Sequence, residues 1–287
     1  MKSIKLIFPL LILAASCGSN SDDKKTDAAD SSATETTATV PEKVFPQTYY
    51  VGDFVASVYK EKLTYTSVNK ITVSIDSLGR GFIKGYSVVA GNERPFTGSF
   101  TENANGKYEC KVSEPGDDKY DGVFNFTLMP DSGVIQGTWK ANDAKLAVTE
   151  RTFLLRKKEF KYDPTLAISE TIADEQLTGG KYEADFGPEK ISKDVAKYNG
   201  SSVELKVSQV ENMYKGDMEI IRNAIYARHG YSFKSKRMRF IFDKFVDWYM
   251  PVNTDVRNEL TKLEQKNIEL LQRYEKHASS YYDDYGR

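Results

Sequence analysis

The fold of the first half of the chain is decided by residues 122–140, "GVFNFTLMPDSGVIQGTWK". Apolar and polar side chains alternate before and after a four-residue break that runs from Pro130 to Gly133. Period-two alternation is typical of a strand with one buried face, and proline, aspartate, serine and glycine favour a turn. This stretch therefore predicts two antiparallel strands joined in a hairpin.

The same alternation continues on both sides of the hairpin, from about Phe45 to Phe160. It recurs in "KITVSID" (70–76), "KYECKVSE" (107–114) and "ERTFLLRKKEF" (150–160). Glycines suited to tight turns lie throughout the region: Gly79, Gly81, Gly85, Gly91, Gly98, Gly106, Gly122, Gly133 and Gly137. We therefore expect an antiparallel β domain over residues 45–162, built as a barrel or a sandwich, in a chain of the α+β class.

Three features of this region resemble lipocalin-like barrels. They are a "GDF" near its start (52–54), a "GTW" later (137–139) and an arginine in its last strand. The likeness concerns the fold alone, and it implies no particular ligand.

The overall charge excludes one class of partner. The 287 residues carry 40 Lys and Arg against 41 Asp and Glu, a formal net charge of −1, while 40% of the residues are hydrophobic. Binding to nucleic acid depends on the neutralisation of phosphates by a basic surface. The composition therefore favours a globular protein with a packed core and gives no indication of a nucleic-acid partner.

The N-terminus has the pattern of an export signal. Basic Lys2 and Lys5 precede an apolar run from Leu6 to Leu13, and small residues lead to Cys17. We predict a signal peptide over residues 1–16, because the apolar run is too short to span a membrane stably. The end of this segment resembles the lipobox of bacterial lipoproteins, which implies that Cys17 is acylated and becomes the mature N-terminus.

Residues 17–44 are expected to form a disordered tether behind the lipid. They are rich in Ser, Thr, Ala and Asp, and such a composition buries too little apolar surface to offset the entropy lost on folding. The early acidic pair Asp22 and Asp23 is similar to surface-export signals of lipoproteins in one group of Gram-negative bacteria. We expect an outer-membrane lipoprotein that faces either the periplasm or the cell surface.

One loop of the β domain offers a candidate metal site. The segment "EPGDDKYDG" (114–122) places four carboxylates close together: Glu114, Asp117, Asp118 and Asp121. Clustered oxygen donors of this kind suit calcium. The alternative is a solvated hairpin tip, since the spacing is not that of an EF-hand loop.

The chain changes character beyond residue 162. We assign 163–207 to a connector and 208–287 to a helical domain, because apolar residues then recur at spacings of three and four. Asp217 is expected to cap the first long helix at its N-terminus. Arg228 and His229 fall in its last turn and Gly230 in the position of a left-handed cap, so a structural role explains this segment fully.

A second helix is expected to begin near Ser235, with an apolar side that includes Met238 and Phe242. Basic residues of these two helices are the candidate contacts for anionic partners such as lipid head groups or acidic glycans: Arg222, Lys236, Arg237, Arg239 and Lys244. A solvated face is the simpler explanation of the charges on the second helix.

The last helix opens with "TKLE" (261–264), the pattern of a capping box. Asn267 is an unusually polar residue on its inner side. We predict that Arg228 and His229 contact Glu264 and Asn267 in the protein interior, as a buried polar clasp and not as an active site.

The segments "EIIRNAIYARHGYSF" (219–233), "WYMP" (248–251) and "LTKLEQKNIELL" (260–271) resemble the YARHG domain, a bacterial module. The likeness covers about residues 208–276 and includes the full motif Tyr226, Ala227, Arg228, His229 and Gly230. It implies an extracellular location and no defined chemistry.

The function expected from the sequence is that of a non-enzymatic, lipid-anchored envelope or surface protein with a binding or structural role. Its membrane contact is the N-terminal lipid, its ligand in the envelope or outside the cell is unspecified, and no cofactor is expected. A small-ligand-binding β barrel and a hydrolase of cell-wall or surface polymers are the alternatives. No catalytic residue is assigned, because the HExxH, GxSxG and CxxC patterns do not occur in the sequence.

Overall fold

A computed structural model describes residues 43–44, 48–60, 67–174, 190–281 and 285–287. The predicted signal peptide, Cys17 and the tether as far as residue 42 lie outside the described residues.

The first half of the described chain is an eight-stranded antiparallel barrel with one short additional strand. The strands are β1 (Lys43–Val44), β2 (Tyr49–Tyr59), β3 (Val68–Gly79), β4 (Phe82–Val89), β5 (Asn92–Glu102), β6 (Tyr108–Ser113), β7 (Gly122–Met129), β8 (Val134–Ala141) and β9 (Val148–Lys158). Each strand from β2 to β9 pairs with its neighbours in chain order, and pairing of β2 with β9 closes the barrel. The predicted α+β class is confirmed, and the structure selects the barrel over the sandwich.

The hairpin expected at residues 122–140 is β7 and β8. Their register runs from Gly122 opposite Ala141 to Met129 opposite Val134. Gly133 turns the chain with φ +62, and its amide donates to the Pro130 carbonyl oxygen at 3.1 Å. The turn thus uses the left-handed conformation that glycine adopts without strain.

Strand β1 departs from the sequence expectation, which assigned residues 43–44 to the tether. It pairs with β3 at Leu78 and Ser77. Strand β2 pairs with β3 only from Val68 to Ser74, so the later part of β3 offers backbone groups on that edge. The two residues of β1 satisfy some of them.

The barrel interior is packed with apolar side chains. Phe54 lies 6.2 Å from Phe124, 5.7 Å from Trp139 and 6.0 Å from Phe153 between ring centroids. Cys110 is also buried here, and burial raises the pKa of its thiol to about 12, as suits an unreactive strand residue.

The helices lie in the second half of the described chain. They are α1 (Thr171–Asp174), α2 (Asp194–Lys197), α3 (Val207–Val210), α4 (Lys215–Arg228), α5 (Lys236–Phe245) and α6 (Lys262–Ser280). Ser235 caps α5 by accepting from the Met238 amide, and Thr261 and Glu264 form the expected capping box of α6. No helix among the described residues combines the length and apolar character needed to cross a membrane.

The expected N-cap of α4 is wrong by three residues. The helix begins at Lys215, with Tyr214 as its N-cap, and Asp217 lies fully buried in the first turn. A Cβ atom on Gly216 would lie 2.5 Å from the Lys190 carbonyl oxygen, so glycine permits a close approach of the preceding segment. The Asp217 carboxylate then accepts from both the amide and the hydroxyl of Ser192, each at 2.7 Å.

The helical region packs directly on the barrel. Asp243 of α5 accepts from the Lys70 amide of β3 at 3.0 Å, and Lys70 Nζ donates to the Val246 carbonyl oxygen at 3.2 Å. On the neighbouring β4–β5 turn, the Gly91 amide donates to Ser232 Oγ at 2.9 Å. These contacts hold α5 beside one end of the barrel.

Candidate functional site

The "YARHG" segment ends helix α4 in a tight left-handed cap. Gly230 has φ +74. The Gly230 amide donates to the Ala227 carbonyl oxygen at 2.9 Å, and the Tyr231 amide donates to the Tyr226 carbonyl oxygen at 3.1 Å. A Cβ atom at this position would lie 2.3 Å from Val252 and 3.0 Å from the ring of Phe160. Both the backbone conformation and the packing therefore require glycine.

Next to this cap, His229 and Glu264 form a buried polar contact. His229 Nε2 lies 2.9 Å from Glu264 Oε2, and the two side chains are 4% and 0% exposed. Tyr162 donates its hydroxyl to Glu264 Oε1 at 3.0 Å and stacks on the His229 ring at 4.3 Å. The amide and hydroxyl of Thr261 also donate to Glu264, at 2.9 and 3.0 Å. We call His229, Glu264, Tyr162 and Thr261 the polar cluster.

The environment of the polar cluster favours an ionised Glu264. Burial raises the pKa of this carboxyl, but hydrogen bonds from His229, Ser201 and the Thr261 amide outweigh burial and bring the pKa to about 2. Burial and the adjacent Glu264 raise the pKa of the Tyr162 phenol to about 12, so that it remains a donor. The cluster is a set of matched donors and acceptors.

Arg228 and Asn267, the other two residues expected in the clasp, bind mainly to backbone groups instead, and Arg228 Nη1 also donates to Ser201 Oγ at 3.3 Å. Arg228 donates from Nε and Nη2 to the Leu166 carbonyl oxygen, at 2.9 and 2.7 Å. Asn267 accepts from the Leu205 amide at 2.9 Å and donates to the carbonyl oxygens of Gly200 and Val203, both at 2.8 Å. Both residues thus anchor the predicted connector, which the sequence pattern left undefined.

A cavity of about 520 Å³ lies at the end of the barrel that carries the β4–β5, β6–β7 and β8–β9 connections. We call it the barrel-mouth cavity. Phe54, Phe124 and Trp139 form an aromatic part of its wall. Five cationic side chains also line it, three of them from α5 and the residues just before it: Arg94, Arg151, Lys234, Lys236 and Arg239. The cavity therefore joins the barrel to the helical region.

The cationic side chains differ in the ion pairs and hydrogen bonds that they make. Arg94 pairs with Asp121 at 3.0 Å and with Asp118 at 3.5 Å. Arg151 donates to the Phe54 carbonyl oxygen at 2.8 Å, and burial together with the nearby charge of Arg239 lowers its pKa to about 10. Buried Nε of Arg239 has no hydrogen-bond partner among the described residues. The charge of Arg239 is therefore felt at Arg151.

The acidic loop expected to bind calcium has another role. Glu114 accepts from Trp139 Nε1 at 3.1 Å and from the Gly122 amide at 2.8 Å, and Asp121 accepts from the Gly116 amide at 2.8 Å as well as from Arg94. Asp117 and Asp118 are exposed. Within the residues that the structure describes, no group of three or more His, Cys, Asp or Glu could hold a metal ion. The carboxylates instead fix the loop and Arg94 at the barrel mouth.

The basic residues predicted as one binding patch separate into two sets. Arg222 pairs with Glu275 of α6 at 2.7 Å, Arg237 pairs with Glu219 of α4 at 3.0 Å, and Lys244 lies 4.8 Å from the Phe240 ring centroid. Lys236 and Arg239 line the barrel-mouth cavity. The second set alone lines the barrel-mouth cavity.

The sequence did not lead us to expect Arg94, Arg151 and Lys234 in the lining of the barrel-mouth cavity. A signal existed for Arg151, because it alternates with Phe153 and Leu155 on the buried face of β9. An arginine on an apolar strand face requires a specific partner. Arg94 stands in the polar turn segment "VVAGNERPF" (88–96), for which an ion pair or a turn is the simpler expectation and a contact site the alternative, and no pattern marked Lys234.

Two further cavities, of about 510 and 730 Å³, are more open and lie against outward-facing strand residues of the barrel. A fourth, of about 380 Å³, lies beside Arg222 and Tyr226. His229 and Glu264 line none of these four cavities. The geometry of the polar cluster is therefore that of a buried structural contact between helices.

Comparison with known families identifies the helical region. Residues 192–276 match the family model described as the YARHG domain, so the domain begins within the segment that we had assigned to a connector. The YARHG domain is typical of extracellular or periplasmic proteins. No curated protein and no solved structure matches the chain.

Proposed function

We propose that this protein is a non-enzymatic, lipid-anchored envelope protein whose barrel binds a small ligand in the barrel-mouth cavity. The export pattern of residues 1–16 and the lipobox-like segment before Cys17 support the anchor. The YARHG domain, typical of extracellular or periplasmic proteins, agrees with export. In this account the helical region supports the barrel and supplies one wall of the cavity.

The single observation that carries the binding role is the barrel-mouth cavity itself. Its volume of about 520 Å³ falls within the range of small-molecule sites, about 300–1,000 Å³. Aromatic side chains form part of its wall, and a few charged groups converge on it. This combination of an apolar surface with placed polar groups is typical of sites that bind small organic molecules.

The same cavity favours binding over hydrolysis. A glycosidase needs two carboxylates on opposite sides of the bond that it cleaves. Glu114 is the one carboxylate among the lining residues described, and it already accepts hydrogen bonds from Trp139 Nε1 and the Gly122 amide. His229 is held in the polar cluster, away from the cavity.

A bulky substitution at the cavity entrance tests the binding role. Ala147 is exposed in the β8–β9 connection and lines the cavity, whereas the exposed Ala144 of the same connection does not. The neutral fluorophore N-phenyl-1-naphthylamine should bind saturably to the wild type and to Ala144→Trp, and not to Ala147→Trp. Equal binding by all three proteins, or binding by none, would contradict the proposal.

Metabolic labelling tests the anchor separately. Labelled palmitate should be incorporated into the wild type and not into Cys17→Ser, because the acylated atom is the Cys17 sulfur. Equal labelling of the two proteins would exclude this attachment. Protease added to intact cells then distinguishes the faces, since only a surface-exposed protein is digested.

A further inference from the structure

We propose that the barrel-mouth cavity selects neutral cyclic amides, with the amide edge of the ligand bound by Asn69 and its apolar ring against Phe54, Phe124 and Trp139. This inference rests on the proposed binding function and names the chemical class of its ligand.

The first step of the argument is the position of Asn69 in β3. Asn69 alternates along the strand with Ile71 and Val73, which belong to the barrel core, and it lies opposite Phe54 of β2. Its side chain therefore shares the inward-facing side of the strand. Asn69 is 7% exposed and lines the cavity. A side-chain amide is thus buried beside apolar side chains in the cavity wall.

The second step is hydrogen bonding. Among the residues that the structure describes, none forms a hydrogen bond with the Asn69 side chain. The buried side chain of Asn267, in contrast, makes three. Burial of an amide without a partner is costly, and buried polar groups of folded proteins are as a rule paired. An unpaired amide in a cavity wall therefore favours a role in binding.

Arg239 brings a second group of this kind to the same wall. Its Nε is buried and has no hydrogen-bond partner among the described residues. Asp243 lies one turn farther along α5 and accepts from the amide of Lys70, the residue after Asn69 in β3. This contact holds the turn of α5 that carries Arg239 beside the strand end that carries Asn69. The two side chains together offer one acceptor, Asn69 Oδ1, and several donors.

A cyclic amide matches these groups. Its N–H donates to Asn69 Oδ1, and its carbonyl oxygen can accept from Asn69 Nδ2 and Arg239 Nε. A carboxylate or an ester offers acceptors alone and would leave Asn69 Oδ1 unpaired. A hydroxyl group carries its donor and acceptor on one atom, so it cannot pair with both atoms of the side-chain amide in parallel. Because an unpaired buried group costs more than a hydrogen bond contributes, the N–H of the ligand determines the selection.

The apolar part of the wall determines the rest of the ligand. Phe54, Phe124 and Trp139 present ring surface to the cavity, and the partly buried side chains of Val89 and Leu146 lie beside them. A planar ring packs well against such a surface. A body with many hydroxyl groups would leave those groups unpaired there.

Isothermal titration with an isosteric pair of probes tests the inference. The protein is the full chain with Cys17→Ser. The probes are 2-quinolone, a cyclic amide, and coumarin, in which an oxygen atom replaces the N–H group. 2-Quinolone should bind about tenfold or more tightly than coumarin, because coumarin leaves Asn69 Oδ1 without a donor. The anion 2-naphthoate should also bind more weakly than 2-quinolone.

Asn69→Leu should remove this preference of about tenfold, because leucine has a similar size and lacks the amide. The matched control is Asn125→Leu, at an exposed position of β7 that does not line the cavity, and it should keep the preference. Without ligand, Asn69→Leu should unfold at the wild-type midpoint or above it, since it removes a buried polar group that has no partner among the described residues. A variant that fails to fold is replaced by Asn69→Ala, which also lacks the amide.

The outcomes separate the two proposals. Equal affinity of the wild type for 2-quinolone and coumarin, tighter binding of 2-naphthoate than of 2-quinolone, or a preference that Asn69→Leu retains would overturn amide selection and leave the small-ligand function standing. No binding of any probe at millimolar concentration, together with no saturable binding of N-phenyl-1-naphthylamine, would overturn both.

Discussion

The polar cluster and the barrel-mouth cavity both place charged side chains out of water, but they differ in how those charges are compensated. In the polar cluster, Glu264 accepts from His229, Tyr162 and Thr261, so its charge is fully surrounded by donors. In the cavity, Arg239 Nε is buried and lacks a hydrogen-bond partner among the described residues. A conspicuous sequence motif can thus be structural, while the side chains that line the cavity are separated along the chain.

The largest expected effect comes from removing the acceptor at the centre of the polar cluster. Glu264→Ala should destabilise the protein by about 3–5 kcal/mol, because it leaves several buried donors unpaired. Chemical denaturation measures the change. Glu269→Ala, at an exposed position of the same helix, is the control and should lie within about 0.5 kcal/mol of the wild type. Similar values for the two variants would mean that the cluster does not support the fold.

Gly230→Ala should be the next largest change, at about 2–3 kcal/mol, since the new Cβ meets Val252 and Phe160 in addition to the left-handed backbone cost. Gly106→Ala is a matched control, because Gly106 has φ +69 and open space around the new atom. Thermal unfolding should show only the backbone cost for the control, about 1 kcal/mol. Equal losses would show that packing against the "YARHG" cap contributes nothing.

Asp243, at the contact of α5 with Lys70, and Glu264, in the polar cluster, should respond to pH in opposite directions. Burial raises the pKa of Asp243 to about 7, so the folded state holds this proton more tightly than the unfolded chain does. Between the ordinary aspartate value of about 3.9 and about 7, rising pH therefore removes stability. Glu264, whose pKa lies near 2, contributes stability above the ordinary glutamate value, and this contribution is lost as the pH falls toward about 2.

Asp243→Asn isolates the first of these effects. Relative to the wild type, the variant should gain on the order of 2 kcal/mol as the pH rises from about 4 to about 6, because the amide cannot ionise. Denaturation curves of the two proteins at both pH values provide the difference. A constant difference across this range would show that Asp243 is not held protonated by burial.

The smallest expected effect is that of Arg239→Gln without ligand. Removing one of two like charges should leave the stability unchanged or raise it by up to about 1 kcal/mol, as is common for groups placed for binding. Lys244→Gln, on the same helix and outside the lining of the cavity, is the control. A clear loss of stability in Arg239→Gln alone would place Arg239 with the structural residues.

Sequence patterns predicted the elements whose stabilising interactions join residues close together in the chain. Alternation around Pro130 to Gly133 predicted the hairpin, and "TKLE" predicted the capping box of α6, because both depend on residues within a few positions of one another. The sequence also predicted the juxtaposition of His229 with Glu264, since a histidine and a glutamate lie on the inner sides of two helices that pack together.

Features that depend on distant segments were not predictable in this way. Asp217 has the character of a helix cap, but the close approach permitted by Gly216 gives it Ser192 as a partner. Arg239 has the character of a solvated helix residue, but the contact between Asp243 and Lys70 turns it toward the barrel mouth. In both positions, tertiary packing decided the outcome.

The contrast between a structural polar cluster and a binding cavity can be tested by thermal unfolding of His229→Ala and Ala147→Trp, each with and without N-phenyl-1-naphthylamine. His229→Ala should lower stability by about 1–3 kcal/mol and keep the stabilisation by the ligand, because it disrupts the fold's support and not the cavity. Ala147→Trp should keep the unliganded midpoint, because position 147 is exposed, and should lose the stabilisation by the ligand, because the indole fills the entrance of the cavity. The reverse pattern, with a stable His229→Ala that no longer responds to the ligand, would contradict the account and return the functional site to the "YARHG" motif.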